Sequence, residues 1–365
     1  MTGKKILIGV PPKAHVSLAL DEIEGLQKLG YLCSTVSYGR NNQSVGVINK
    51  FFATALRALK IVKKLYQVKP EFLYLNSRFE PAGSTRDFIS LQIIKLLYYK
   101  KLKVIIKSHG SDYTILLKQS LWYKKIVVPF LRKNVQAWFF LSGDEKKLIA
   151  AHDAVIAAKV FVTPNIIDPS RCVNSAEFKE KHQLALDKYK FLFVGRMVKV
   201  KGIFDILNSI PLLDCKNNCS FIFVGNGDDW EELKQQATAM HINHLVKFAG
   251  YFPDKECDHF YANTDALIFP TYDTEGFPMA LFKSVAVGLP VITTQIRAAK
   301  DYLHEPDNVL WVKKQSPQSI ADAVSKLYYD INLQKQMQQN NKILGELFSA
   351  QKVCMLMSNV FLSIP

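Results

Sequence analysis

The sequence predicts an α/β protein made of two doubly wound parallel sheets, each in its own domain. Three observations predict it. Apolar runs of strand length alternate with amphipathic helical stretches along nearly the whole chain. The alternation breaks once, over the polar and charged stretch from Asp168 to Lys188, and then resumes with a second series of the same kind. A length of 365 residues, 48% of them hydrophobic and 22% charged, is enough for two globular domains, each with its own core. The expected boundaries are 1–168 for the first domain, 169–188 for a linker, 189–346 for the second domain and 347–365 for a terminal helical segment.

In the first series, KKILIGV (4–10) reads as a buried strand and Leu18 to Leu29, stopped by Gly30, as an amphipathic helix. YLCSTVS (31–37) is the next strand, and the period lengthens to helical over Asn49 to Gln67. Strands follow at 71–76, 103–110, 135–142 and 159–165, separated by helices near 85–99, 115–133 and 143–151. Strands that alternate with helices argue a parallel, doubly wound sheet. The first turn, VPPKAHVS, has no G-x-G-x-x-G, which argues against a dinucleotide site there. The second series places strands at 189–195, 219–225 and 245–251, and helices from Ile203 and from Asp228. Beyond residue 300 come VLWV (309–312) and helices over 317–328, 331–346 and 349–362.

The stretch Asp265 to Thr294 carries the densest signal. ALIFP is a buried strand, and a polar loop leads to Glu275-Gly276-Phe277-Pro278. Met279, Phe282, Ala286 and Val287 then recur at helical spacing until Gly288, and LPVITT returns as a strand. In such a βαβ unit ligands gather at the carboxyl ends of the strands. Pro278 is expected to preorganise the first helical turn, through Met279 and Ala280, and the N-terminal amides form an anion seat. Glu275 stands just before that seat. It either accepts hydrogen bonds from hydroxyl groups such as a sugar offers, or it caps the helix.

VGRMVKVKGIF places Arg196 and Lys201 between a strand end and a helix start, where anions dock; the alternative is two solvated loop charges. VGNGDD (224–229), with Gly225 and Gly227, is a glycine turn that opens a helix. His109 ends the strand 103–110, as a catalytic or a structural histidine, and Asp112 in the same loop fits a helix cap.

EGFPMAL followed by GLPVI resembles the signature of the retaining family 4 glycosyltransferases of the GT-B fold. The family motif is a Glu, seven residues, then a second Glu; here Glu275 fills the first place and Lys283 the second. The resemblance covers residues 189–312 and thins over the first half. It implies two Rossmann-like domains facing an interdomain cleft, with the terminal helix crossing back onto the first domain. It also implies that Arg196 and Lys201 hold the donor diphosphate and that Gly225, Gly227, Gly250, Tyr251 and Phe252 border the nucleotide base. Glu275 would support the donor sugar's hydroxyls, with Gly276 and Phe277 in the same motif, and His109 would lie beside the transferred sugar. Asn165 matches a Pro-Asn-Gly turn of the family with Ile166 in place of Gly, a position concerned with interdomain geometry. Lys283 cannot accept a bond from a ribose hydroxyl as the usual Glu does, but it can donate one to a hydroxyl or a phosphate.

Charge is unevenly placed. Residues 1–150 hold 25 Lys+Arg against 9 Asp+Glu, a balance of +16, while residues 151–365 hold 22 and 23. Such asymmetry points to an anionic partner for the first half. Two basic stretches that mix lysines with leucines and aromatics, 49–67 and 116–134, suit an anionic membrane surface; the competing account is two ordinary helices with solvated lysines. No helix-turn-helix, zinc, RRM or OB signature speaks for nucleic acid. No apolar run approaches the roughly 20 residues of a membrane span, and MTGKKILIGV lacks a signal-peptide pattern. The six cysteines form no CxxC pair and read as idle thiols. The chain is therefore expected in the cytoplasm, peripheral on the inner membrane face.

The functional expectation is a glycosyltransferase using a nucleotide-sugar, with a glycan or lipid-linked acceptor. No cofactor or metal is expected, since there is no Asp-x-Asp pair and the phosphates already have cationic partners. Two alternatives stand: a non-catalytic sugar-nucleotide or glycan-binding protein, for which Lys283 speaks, and an enzyme with a soluble acceptor.

Overall fold

The computed structural model describes residues 3–12, 16–39, 46–109 and 113–364. They fold as two compact units, Met1–Ile166 with Ala350–Pro365, and Ile167–Ser349.

In the first unit the strands are β1 (Lys5–Val10), β2 (Leu32–Ser37), β3 (Phe72–Ser77), β4 (Lys103–Ser108), β5 (Ala137–Phe140) and β6 (Val160–Val162). They pair in the order β2-β1-β3-β4-β5-β6, all parallel, with Ile6 opposite both Cys33 and Phe72. β3 is buried along its whole length, as a strand covered on both faces must be. The helices Val47–Val68, Pro81–Leu97 and 121–134 send Ile61, Leu91, Ile94, Val127 and Leu131 into one core cluster. The helices Val16–Lys28 and Ala350–Ser363 cover the other face through Ile23, Leu26, Val353 and Met357. The terminal helix thus packs on the first unit, seated on Gly25, where an added Cβ would come within 2.4 Å of the Cys354 sulfur. Between these layers Lys107 pairs with Glu22, and the Tyr74 hydroxyl donates to the same carboxylate at 2.7 Å. All three side chains are buried, so none can lose its partner cheaply. The helix expected over 115–133 is broken: Thr114–Leu117 ends before residues 118–120, and the helix 121–134 opens with a π turn over Trp122–Val127.

The second unit contains β7 (Tyr189–Val194), β8 (Cys219–Val224), β9 (Val246–Gly250), β10 (Ala266–Phe269), β11 (Val291–Thr293) and β12 (Val309–Trp311). Their order is β12-β11-β10-β7-β8-β9, again all parallel. The chain leaves β7 toward β8 on one side and returns to β10 on the other. The loops after β7 and β10 therefore part at the topological switch point, where open α/β sheets bind ligands.

The stretch 169–188, expected as a linker, is folded onto this unit. Ser175 N donates to Asn263 Oδ1 at 3.0 Å and Val173 N to His259 Nδ1 at 3.2 Å. Phe178, on the short helix Ala176–Lys181, packs edge-on against Phe260. The polar composition of the stretch hid two separated apolar anchors, Phe178 and the buried Leu184.

Candidate active site

The site of the second unit is built from the two switch-point loops. After β7 the chain runs through Arg196 and Met197 into a short turn, Lys199–Lys201, and Gly202 opens the next helix. After β10 it runs from Pro270 to Pro278 and into the helix Met279–Val287. The loops are tied together: Tyr272 N donates to Val200 O at 3.0 Å, and the Thr271 hydroxyl to the same carbonyl at 3.2 Å. Gly202 has φ +75°, and a Cβ there would stand 2.5 Å from Pro270 O, so only glycine lets the loops approach.

Lys201 is the centre of this arrangement. Its side chain is 8% exposed, and its ammonium lies between two carboxylates, 2.9 Å from Asp273 Oδ2 and in contact with Glu275 Oε1. The hydrogen bond from Lys201 holds the Asp273 carboxyl below its ordinary range, helped by the Lys201 and Arg196 charges and by Thr274 N–H, and opposed by partial burial. Arg196 itself is exposed. A buried cation at a switch point, with one carboxylate more than it needs, can exchange one partner for an anionic ligand.

Pro278 occupies the cap position of the helix Met279–Val287 rather than its first turn, and no side chain caps this end. Proline has no N–H, so the seat begins at Met279, with Ala280 and Leu281 in the same turn. Phe277 is a packing residue: it stacks on Phe282 with ring centroids 3.8 Å apart and meets Phe348 edge-on, which fixes Gly276 and the loop end. The glycine turn after β8 closes on the loop after β7. A Cβ on Gly225 would lie 1.9 Å from Gly195 O, and one on Gly227 would lie 2.4 Å from Met197 O. Gly250 O accepts from Gly225 N at 2.8 Å, which brings the β9 end into the same edge. Tyr251 there is exposed, while Phe252 packs against His182 and Phe260.

Lys283, expected to face the donor, is engaged elsewhere. Its ammonium lies on Asp258 Oδ1, on the helix Asp254–Ala262 packed alongside, and the Asp258 side chain is only 5% exposed. Where the family motif has a second carboxylate, this chain has a cation matched to a buried carboxylate on the adjacent helix. Cys172 and Cys257 lie near this pair, and burial pushes each thiol up to about 12, which leaves them protonated and inert.

In the first unit His109 is buried at the carboxyl end of β4, with Nε2 2.6 Å from Asn76 Oδ1; Asn76 Nδ2 in turn donates to Gly9 O at 3.0 Å. Asp112 lies outside the described residues. Asn165 is buried, and Ile166 joins the core beside Val353, where glycine would leave a hole. Sequence reasoning missed Asp273 and Asp258. Asp273 stands two residues before Glu275 in a polar loop, and nothing in its local pattern separates it from a solvated turn residue. Among the described residues, no group of three or more His, Cys, Asp or Glu is placed to hold a metal ion.

Two Rossmann-like units in one chain, with basic and acidic loops meeting at the switch point of the second, give the chain the architecture of the GT-B fold. Residues 174–343, which lie within the second unit, match the family described as Glycosyl transferases group 1. Curated relatives agree. An uncharacterized glycosyltransferase of Methanocaldococcus jannaschii, MJ1607, is 25% identical over 156 residues, 43% of this chain and 40% of that protein. The putative teichuronic acid biosynthesis glycosyltransferase TuaC of Bacillus subtilis is 28% identical over 230 residues, 62% of this chain and 55% of that protein. In these two relatives the aligned part is about half of the curated protein. A crystal structure of Anabaena Alr3699/HepE in complex with UDP superposes with a TM-score of 0.77 at 13% identity, covering 99% of this chain and 100% of that one, which shows the shared fold.

Proposed function

We propose that the protein is a retaining glycosyltransferase. It would transfer a sugar from a nucleotide-sugar to a glycan or lipid-linked acceptor at an anionic membrane surface. The observation that carries this reading is Lys201, buried at the switch point and shared by Asp273 and Glu275 ahead of an uncapped helix.

In this reading the donor diphosphate would bind Lys201, Arg196 and the first-turn amides of the helix Met279–Val287, three partners that would leave no requirement for a metal. An incoming diphosphate competes with the carboxylates for the Lys201 ammonium. Asp273 then keeps its 2.9 Å contact as the lasting counter-ion, while Glu275 turns to the hydroxyls of the sugar. Gly225, Gly227, Tyr251 and Phe252 border the base. In the transfer step the bond from the anomeric carbon to the phosphate oxygen breaks. The acceptor oxygen bonds to that carbon on the same face, and the acceptor proton passes to the departing diphosphate. HepE binds UDP, so UDP-sugars are the first donors to try.

The test is a panel of nucleotide-sugars screened for thermal stabilisation of the protein and then for release of nucleoside diphosphate. Stabilisation and turnover by one donor support the proposal. Lys283 favours one other reading, a binding protein without activity; stabilisation without turnover, over a panel of acceptors, would favour it.

A further inference from the structure

The helices Val47–Val68, Pro81–Leu97 and 121–134 cover one face of the first sheet and share one core. Acidic residues are absent from 46–70, 88–111 and 113–143, and the three helices themselves hold 11 lysines and arginines. The one acid within the three helices, Asp87, is buried and accepts from the Tyr38 hydroxyl at 2.6 Å. The acids of the first helix, Asp21, Glu22 and Glu24, belong to the opposite face. The basic face is also apolar where it should be polar. Phe52, Leu56, Leu59 and Tyr66, spaced by four, three and seven residues, lie along the outer side of the helix Val47–Val68, all exposed. Leu96 is 69% exposed and Tyr99 83% at the end of the neighbouring helix. Ordinary covering helices carry mixed charges on their outer sides, and these do not.

Between the helix Pro81–Leu97, the turn that follows it and the end of the helix 121–134 lies a cavity of about 190 Å³. Lys95, Lys100 and Lys133 line it together with Leu91, Ile94 and Tyr98, and its lining holds no carboxylate. Lys95 Nζ donates to Asn134 Oδ1 at 3.0 Å, which holds one ammonium at the cavity. We propose that this cavity seats the phosphate of an anionic phospholipid headgroup, and that the basic face formed by these three helices lies on the bilayer. The inference rests on the membrane side of the proposed function and names its surface. A soluble phosphate would need only the lysines. The exposed Leu96 and Tyr99 beside the cavity are what a headgroup at an apolar–water boundary adds.

The test is flotation of the full chain with vesicles of phosphatidylcholine alone or mixed with phosphatidylglycerol. The variants are Lys95→Gln/Lys100→Gln/Lys133→Gln, Leu96→Ser/Tyr99→Ser, Arg57→Gln/Lys60→Gln/Lys63→Gln, and Lys234→Gln/Lys326→Gln/Lys335→Gln of the second unit as a control. All change partly or well exposed side chains, and melting curves check folding. A lysine at an anionic surface is worth about fivefold in partition, so the cavity variant should lose on the order of 100-fold. The Leu96/Tyr99 variant should also lose binding, and the control should float as the parent does. A parent that floats with neither vesicle, or equally with both, overturns the membrane reading and this inference with it. A parent that floats only with anionic vesicles, and a cavity variant that floats equally, overturns the cavity alone and leaves the face. Thermal stabilisation of the parent by glycerol phosphate, with unchanged flotation of the Leu96/Tyr99 variant, would make the cavity a soluble phosphate site and refute the lipid assignment.

Discussion

Replacing Lys201 with methionine removes one ammonium and leaves the stem in place. Asp273 and Glu275 keep 34% and 23% of their side-chain surface, so both carboxylates can rehydrate once the cation is gone. The loss of stability should therefore fall below the roughly 3–5 kcal/mol seen when a buried ion is stripped of its partner. Donor binding should suffer more. A charge-assisted hydrogen bond to phosphate is worth about 1.5–3 kcal/mol, which is roughly 10- to 100-fold in affinity. The two carboxylates, no longer neutralised, would add repulsion. Isothermal titration of parent and Lys201→Met with the preferred nucleotide-sugar reads the affinity, and a melting curve reads the stability. Unchanged affinity in a folded variant would refute the placement of the diphosphate at the switch point. The pH dependence has a fixed sign. The Asp273 carboxyl sits below its ordinary value, so its contribution is fully present above about pH 4. It is lost as the pH falls through the folded-state value, not as it rises, so between pH 5 and 8 the Asp273 contact should not titrate.

Glu275→Gln should lower turnover far more than donor affinity, because the group acts on the reacting sugar; equal turnover would reduce it to a loop residue. Lys283→Ala leaves Asp258 buried without its cation, and Lys283→Glu sets two carboxylates together. Both should lower the melting temperature and destabilise the fold, the second more, by about 3 kcal/mol or above, and Asp258→Asn should recover part of the loss. A Lys283→Ala protein as stable as the parent would show that the pair carries no stability. In the first unit, Gly25→Ala drives a methyl group to 2.4 Å from the Cys354 sulfur and should cost about 1–3 kcal/mol, read by chemical denaturation. No change would mean that the terminal helix is not seated there.

Most of the twelve strands were legible as apolar runs, the trace that a strand buried on both faces leaves in the sequence, while the half-exposed edge strand β2 was legible from its place in the alternation. The pairing order was not legible, since nothing local tells β7 to sit between β8 and β10. The folded stretch 169–188 hid for a different reason: Phe178 and Leu184 anchor it, and two isolated apolar residues make no period. At the site, Lys201 and Glu275 could be nominated from strand ends and helix starts, but their contact spans 74 positions. Asp273 and Asp258 were invisible because each matters only through the lysine it meets in space. Lys283 was visible as a departure from a motif. Its partner needed the helix Asp254–Ala262 laid against the helix Met279–Val287, which only the fold supplies.

The most direct measurement is the reaction itself. The purified chain is incubated with a panel of nucleotide-sugars and with glycan and lipid-linked acceptors in anionic vesicles. Nucleoside diphosphate release is followed, and the anomeric configuration of any product is read by NMR. One donor should be turned over, with the configuration of its sugar kept in the product and with turnover abolished by Lys201→Met. A donor that binds and is never turned over, or a product with inverted configuration, would contradict the account.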